Sequence, residues 1–341
     1  MSTDHPAIPT STHLPDSAMI VSNLKQPSPP ATGLAGESQT SGNEGTAATE
    51  LPEILCKRYK IERLLGVGGM GAVYRARDLL REQYGDPDPY VAIKTLNEEF
   101  AEYPDANALL YTEFALTSRL RHSNVIRLYA FDVDPQSQRA FITMEPLKGP
   151  TLDQFLESHP DGLPWEEYRN IALPLIGALA CAHERGVLHG DLKPSNVMLA
   201  KDGLRLFDFG LGQPVKGLLN GLPKLSRKRI AAWTPRYAAL ELLNGEGLTS
   251  TADVYGLACI LYELASGLHP YSRLTAKQAK AMQQDKSLQK PANLPAHCWP
   301  ALRLALAFDK EARQIDARGL LDAFSRPKPS LVQRMFSRQT E

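Results

Sequence analysis

The chain has 341 residues, 43% hydrophobic and 22% charged, a composition that suits one two-lobed globular domain or two small ones. Its 38 Lys and Arg balance 38 Asp and Glu, so no whole-molecule field attracts nucleic acid or an anionic membrane. Cys56, Cys181, Cys259 and Cys298 are far apart with no CxxC pair, which excludes a zinc finger or compact disulfide framework and fits reduced cytosolic thiols.

The opening "MSTDHPAIPTSTHLP" has neither a basic start nor a long apolar run, so no secretory signal is expected. Residues 1–52 are rich in Ser, Thr, Pro, Gly and Ala and hold no Phe, Tyr or Trp. Such a segment cannot bury enough apolar surface to offset its ordering entropy, and a disordered arm is expected.

From Lys57 the pattern changes to short β-like runs: "YKIERLLGVG", "GAVYRARD", "YVAIKTL", "VIRLYAFDVD" and "RAFITMEP". Between the third and fourth, "DANALLYTEFALTSRLRH" carries apolar residues at helical spacing. Five strands with one helix after the third are therefore expected. The stretch "DLLREQYGDPDPY" is longer than a minimal hairpin and reads as a surface excursion. Beyond Lys148 the pattern is mostly helical, through "TLDQFLESH", "WEEYRNIALPLIGALACAHERG", "ADVYGLACILYELASG", "TAKQAKAMQQ", "WPALRLALAF" and "ARGLLDAF". "IALPLIGALACAH" is interrupted by Pro174 and too short to span a bilayer comfortably, so a buried helix is expected there.

The fold class is α+β. A domain over 53–325 is expected, with a β-rich lobe at about 57–145, a larger helical lobe at about 149–324, and a cleft between them as the natural ligand site. A short tail is expected at 326–341, with no anchor or sensor expected in it.

Four motifs fall along this frame. Gly66, Gly68, Gly69 and Gly71 in "LLGVGGMGAVY" lie between two strand-like runs, where missing side chains let backbone N–H groups approach phosphate oxygens; Val73 can cover an adenine ring. No helix opens after them, which argues against a dinucleotide-binding arrangement. Lys94 in "VAIK" and Glu113 on the following helix could form a pair in which the carboxylate steadies an ammonium aimed at phosphates, a partly exposed cleft charge. "VLHGDLKPSNVML" spaces His189, Asp191 and Asn196 as HxDxxxxN, one carboxylate to meet a hydroxyl and one amide to hold a metal. "FDFG" adds Asp208, a second hard-oxygen ligand of the kind magnesium takes. Gly190 stands where the protein-kinase template reads Arg, and HGD also resembles the small-molecule kinases of the aminoglycoside phosphotransferase type.

Taken together, residues from Lys57 to about Phe324 resemble a serine/threonine protein kinase of the eukaryotic-like (Hanks) type found in bacteria. The resemblance implies ATP and magnesium, with manganese as an alternative, and protein substrates that carry Ser or Thr, the chain itself included. Asp191 is then the catalytic base or orienting carboxylate, Lys193 stabilises the transferred group, and Asn196 and Asp208 hold the metal. Val67 belongs to the glycine loop, Met144 matches the gatekeeper, the Glu145 carbonyl and Leu147 N–H face adenine, and Ala92 and Met198 enclose it. "WTPRYAALELL" resembles the peptide platform of protein kinases, which small-molecule kinases are not expected to carry. In it Thr234 would bridge Asp191 and Lys193, while Glu241 would pair with Arg313 and Asp253 would hold the catalytic loop. Trp233 and Leu240 depart from the family's Gly and Pro.

The resemblance further implies a cytoplasmic protein that binds neither nucleic acid nor membrane, with a cognate phosphatase or phosphothreonine-binding protein as partner. Gly190 cannot meet an activation-segment phosphate. Between Gly210 and Thr234 the only hydroxyl acceptor is Ser226, so activity independent of phosphorylation there is expected.

Overall fold

The computed structural model describes residues 51–68, 71–97, 106–214, 234–272 and 274–326. Its first lobe is an antiparallel sheet of β1 (Ile54–Leu55), β2 (Tyr59–Val67), β3 (Gly71–Asp78), β4 (Tyr90–Leu96), β5 (Leu128–Val133) and β6 (Ala140–Met144), in the order β1-β2-β3-β4-β6-β5. The five expected strands are present, and β1 is an addition that starts the sheet before Lys57. Leu55 on β1 is fully buried beside Tyr59, Val91, Ile93 and Phe141. The surface excursion contains a short helix, α1 (Leu79–Gln83), because Asp78 accepts the N–H groups of Leu80 and Arg81 as an N-cap.

Side-chain alternation along β4 sorts the lobe into two layers. Val91 and Ile93 face the β1 cluster, whereas Ala92 and Leu96 join Ile142, Met144 and Leu110 under α2 (Ala106–Thr117).

The second lobe is helical: α3 (Leu152–Glu157), α4 (Trp165–Glu184), α5 (Leu240–Leu243), α6 (Ser250–Ser266), α7 (Ala276–Ala281), α8 (Trp299–Ala305) and α9 (Ala317–Ser325). Helix α4 runs through Pro174, and with α6 it forms the centre of the largest apolar cluster. No helix among the described residues is long and apolar enough to cross a membrane. Strands also enter this lobe. β7 (Val187–Leu188) pairs with β10 (Gln213–Pro214), and β8 (Val197–Ala200) pairs with β9 (Gly203–Leu206). These hairpin-like pieces carry the motif residues between them.

Arg313 ties the far end of the lobe together. It is 1% exposed and donates to Glu241 Oε1 at 2.7 Å, to Thr251 O at 2.8 Å and to Ala307 O at 2.8 Å. Because Glu241 is equally buried, Arg313→Met leaves an uncompensated carboxylate and is expected to cost about 3–5 kcal/mol. Urea denaturation at neutral pH measures it, and an unchanged midpoint would show that the pair contributes no net stability.

Candidate active site

Lys94 shares the β4 face of Ala92 and Leu96, so its side chain runs toward α2, where Glu113 is buried. Its Nζ lies 2.7 Å from both Glu113 oxygens and 2.7 Å from Asp208 Oδ1. The expected pair is therefore a triad that joins the two lobes. Lys94 is 9% exposed, which corrects the expectation of a partly exposed ammonium: two carboxylates enclose it. Burial alone would lower its pKa, yet Asp208 and Glu113 overcome burial and hold it above the usual lysine range. Burial pushes Asp208 up, but Lys94 dominates and brings it down to about 2. Glu113 is raised, burial outweighing Lys94.

Strands β2 and β3 pair through Gly66 with Val73 and Val67 with Ala72, and the Gly68 N–H donates to Gly71 O at 2.8 Å. A Cβ on Gly71 would lie 2.1 Å from Thr95 O, so β3 can approach β4 only with glycine there. A Cβ on Gly66 would meet nothing within 4 Å, which leaves its backbone accessible from above. Gly69 lies outside the described residues.

Behind this loop, Ala92 pairs with Met144 across β4 and β6, and Val73, Leu147 and Phe207 pack on the same apolar cluster. Glu145 Oε1 turns away to accept the Arg127 N–H at 2.8 Å and Arg205 Nε at 3.3 Å. The Glu145 N–H is also committed, to Arg127 O at 3.0 Å, so its carbonyl is the group it can offer a ligand. Met198 sits half-buried on β8, bridged to Thr151.

The HxDxxxxN loop is held from below. Asp253, in the first turn of α6, accepts the His189 N–H and the Gly190 N–H, each at 2.8 Å. His183 Nε2 adds a third bond to Asp253 at 3.0 Å, a contact that sequence reasoning missed because His183 lies outside every motif. His189 takes the Asp191 N–H on Nδ1 at 3.2 Å, so its other nitrogen is the donor, to Phe207 O at 3.1 Å. Gly190 has φ +85°, and a Cβ there would lie 2.6 Å from Leu211 O. Glycine is thus the residue that this backbone accepts best.

Asp191 receives Lys193 Nζ at 2.6 Å on Oδ2 and the Thr234 N–H at 3.2 Å on Oδ1. Lys193 therefore reaches Asp191 directly, and Thr234 does so through its main chain, whereas a Thr234 bridge between the two was expected. Trp233 and Ser226 lie outside the described residues. Asn196 Nδ2 donates to Asp191 O at 2.8 Å, which aims its carbonyl oxygen elsewhere, and Asp208 commits only Oδ1 to Lys94. Two hard oxygens remain. Among the described residues no cluster of three His, Cys, Asp or Glu could hold a metal by itself, so a dication here would need oxygens from a ligand.

The platform is tied down at its far end by Glu241 and Arg313, as expected. In its middle, Tyr237 Oη donates to Glu263 at 2.6 Å.

Comparison with known proteins places these features together. The family described as protein kinase domain matches residues 59–339. The serine/threonine-protein kinase PkaA of Streptomyces coelicolor is 31% identical over 277 residues, 77% of this chain and 49% of that protein. The serine/threonine-protein kinase pkn3 of Myxococcus xanthus is 31% identical over 292 residues, 76% of this chain and 51% of that protein. The chain thus spans about half the length of these relatives. A crystal structure of the Mycobacterium tuberculosis PknI kinase domain superposes with a TM-score of 0.57 at 26% identity, covering 80% of this chain and 96% of that one. A family match that runs from β2 through the whole site, with relatives of a single class, gives the conclusion: the chain belongs to the protein kinase family, among the bacterial serine/threonine-protein kinases.

Proposed function

We propose that the chain transfers the γ-phosphoryl group of ATP, with magnesium, to Ser or Thr hydroxyls of proteins, itself included. The observation that carries this reading is the closed Lys94–Glu113–Asp208 triad beside Asp191, because it puts a charged ammonium and a free carboxylate oxygen at one point of the cleft.

The residues fit a magnesium nucleotide. The Gly66, Gly68, Gly69 and Gly71 backbone would cover the phosphates; Val67, Val73, Ala92, Met144, Leu147 and Met198 would enclose the base; and the Glu145 carbonyl and Leu147 N–H would orient it. Lys94 would hold phosphate oxygens, steadied by Glu113. Asn196 and Asp208 would hold the metal, which supplies charge neutralisation at the transferring group. Asp191 then orients the acceptor hydroxyl and takes its proton, and Lys193 offsets negative charge next to it. The platform anchored by Thr234, Tyr237 and Arg313 supports a peptide rather than an aminoglycoside as acceptor.

The same reading places the enzyme in the cytoplasm, with a cognate phosphatase or a phosphothreonine-binding protein as partner. It also makes activity independent of phosphate on the segment after Gly210, since Gly190 presents no cation to receive one. The test supplies labelled ATP and magnesium to the parent and to Ser226→Ala, with a generic protein and an aminoglycoside as acceptors, and mass spectrometry verifies that residues 211–233 carry no phosphate. Protein labelling within about tenfold of the parent is expected. A fall of about a hundredfold, worth about 2.7 kcal/mol in the barrier, would overturn the phosphate-independent part, and no protein labelling by the parent would overturn the whole.

A further inference from the structure

The platform is gripped from a loop outside the motifs. Thr234 gives its N–H to Asp191, and the Tyr237 N–H returns to Thr234 O at 3.1 Å, so residues 234–237 form a closed turn. The loop after α6 takes hold of Arg236 in that turn twice. His269 Nε2 donates to Arg236 O at 3.0 Å, and Arg236 Nη2 donates to Ser272 O at 3.1 Å. The imidazole also stands edge-on to Tyr237, with centroids 5.1 Å apart.

Both ring nitrogens of His269 are committed. Nδ1 accepts the Tyr271 N–H at 3.2 Å, which leaves the hydrogen on Nε2, where Arg236 O receives it. A ring flip would lose both bonds. The side chain is 4% exposed, and burial, helped by Arg236, holds its pKa down to about 4, so it is neutral where the enzyme works. Tyr271 fixes the loop in turn, with its hydroxyl on Leu306 O at 3.1 Å and its ring 4.7 Å from Phe308. The loop therefore presents one oriented donor to one platform carbonyl.

We infer that His269 is a positioning residue for the protein acceptor: by holding the Arg236 carbonyl it keeps the 234–237 turn closed and the Thr234 N–H on Asp191, an ordering contact made without any phosphate. The role rests on the proposed kinase reading for its consequence in catalysis. Its structural half stands separately.

The experiment compares the full chain with His269→Ala, which loses the donor, and His269→Gln, whose amide can still donate to Arg236 O. Hydrogen exchange at the Thr234 and Tyr237 amides reads the turn with no reference to activity. Faster exchange in His269→Ala, restored in His269→Gln, is expected; equal exchange in the parent and His269→Ala overturns the inference. In steady-state assays, kcat/KM for the protein acceptor is expected to fall about tenfold in His269→Ala while the KM for ATP stays within about twofold. Parallel loss for acceptor and ATP would mean a merely structural residue and would also overturn it. If the parent labels no protein, the kinase reading fails and the exchange result alone decides for or against His269.

Discussion

Asp191→Asn is expected to reduce phosphoryl transfer to protein by about 10³-fold while the melting temperature and nucleotide affinity stay near those of the parent. The change is isosteric. Asn keeps an oxygen for the Thr234 N–H, and the loop contacts to Asp253 are made by the backbones of His189 and Gly190, which the substitution does not touch. What disappears is the carboxylate beside Lys193, and with it the group that can take a proton from an acceptor hydroxyl, a contribution of about 10²–10⁴-fold in enzymes generally. Single-turnover transfer with labelled ATP, beside a fluorescent-nucleotide titration, separates the chemical step from binding. A variant within a few fold of the parent would remove Asp191 from the reaction.

The residues of this candidate site were legible because they lie in short contiguous stretches. "VLHGDLKPSNVML" alone delivers Asp191, Lys193 and Asn196, and alternation in "YVAIKTL" puts Lys94 on the face of Ala92. The strands that escaped notice were short. β1 has two residues, as do β7 and β10, and a period of two cannot be read from so few. The β8–β9 hairpin did carry a signal, Asp202 and Gly203 between the apolar runs "VMLA" and "LRLF", but it lies in a half of the chain that reads as mostly helical, and no element is expected there. Helix α1 is five residues long and depends on the Asp78 cap rather than on any apolar stripe.

What the sequence could not show is contact between distant side chains. His269 belongs to "GLHPYS", where nothing local distinguishes it, and its role appears only when the loop closes on Arg236. His183 is similar: it lies seventy residues before Asp253, its partner. The burial of Lys94 is the same kind of fact, since an exposed-looking strand lysine becomes enclosed only when Glu113 and Asp208 arrive from the helix and from the other lobe.

That enclosure changes what Lys94→Met should do. Phosphoryl transfer is expected to fall by about 10²-fold or more, because the ammonium that would meet the phosphates is gone. Stability should fall as well, by about 3–5 kcal/mol, since the substitution leaves two carboxylates facing each other without their shared cation. Adding Glu113→Gln removes one of those charges and should return much of the stability and none of the transfer, a non-additivity that arises because the three groups form one network. The pH dependence distinguishes the forms. In the parent, Asp208 is held near 2, below its unfolded value of 3.8, so its contribution is present above that value and is lost as pH falls through the folded one. In Lys94→Met, Glu113 is left with burial and the Asp208 charge, both of which raise its carboxyl above the unfolded 4.5. A raised acid holds its proton longer when folded, and Lys94 restrains that rise in the parent, so this variant should lose more stability than the parent as pH rises from about 4.5 toward neutrality. Denaturation of the parent at pH 2 and pH 5 measures the Asp208 contribution, and denaturation of the parent, the single variant and the double variant at pH 5 and pH 8 measures the effect of Glu113. A Lys94→Met protein as stable as the parent at pH 8, with no gain from Glu113→Gln, would show that the lysine balances neither carboxylate.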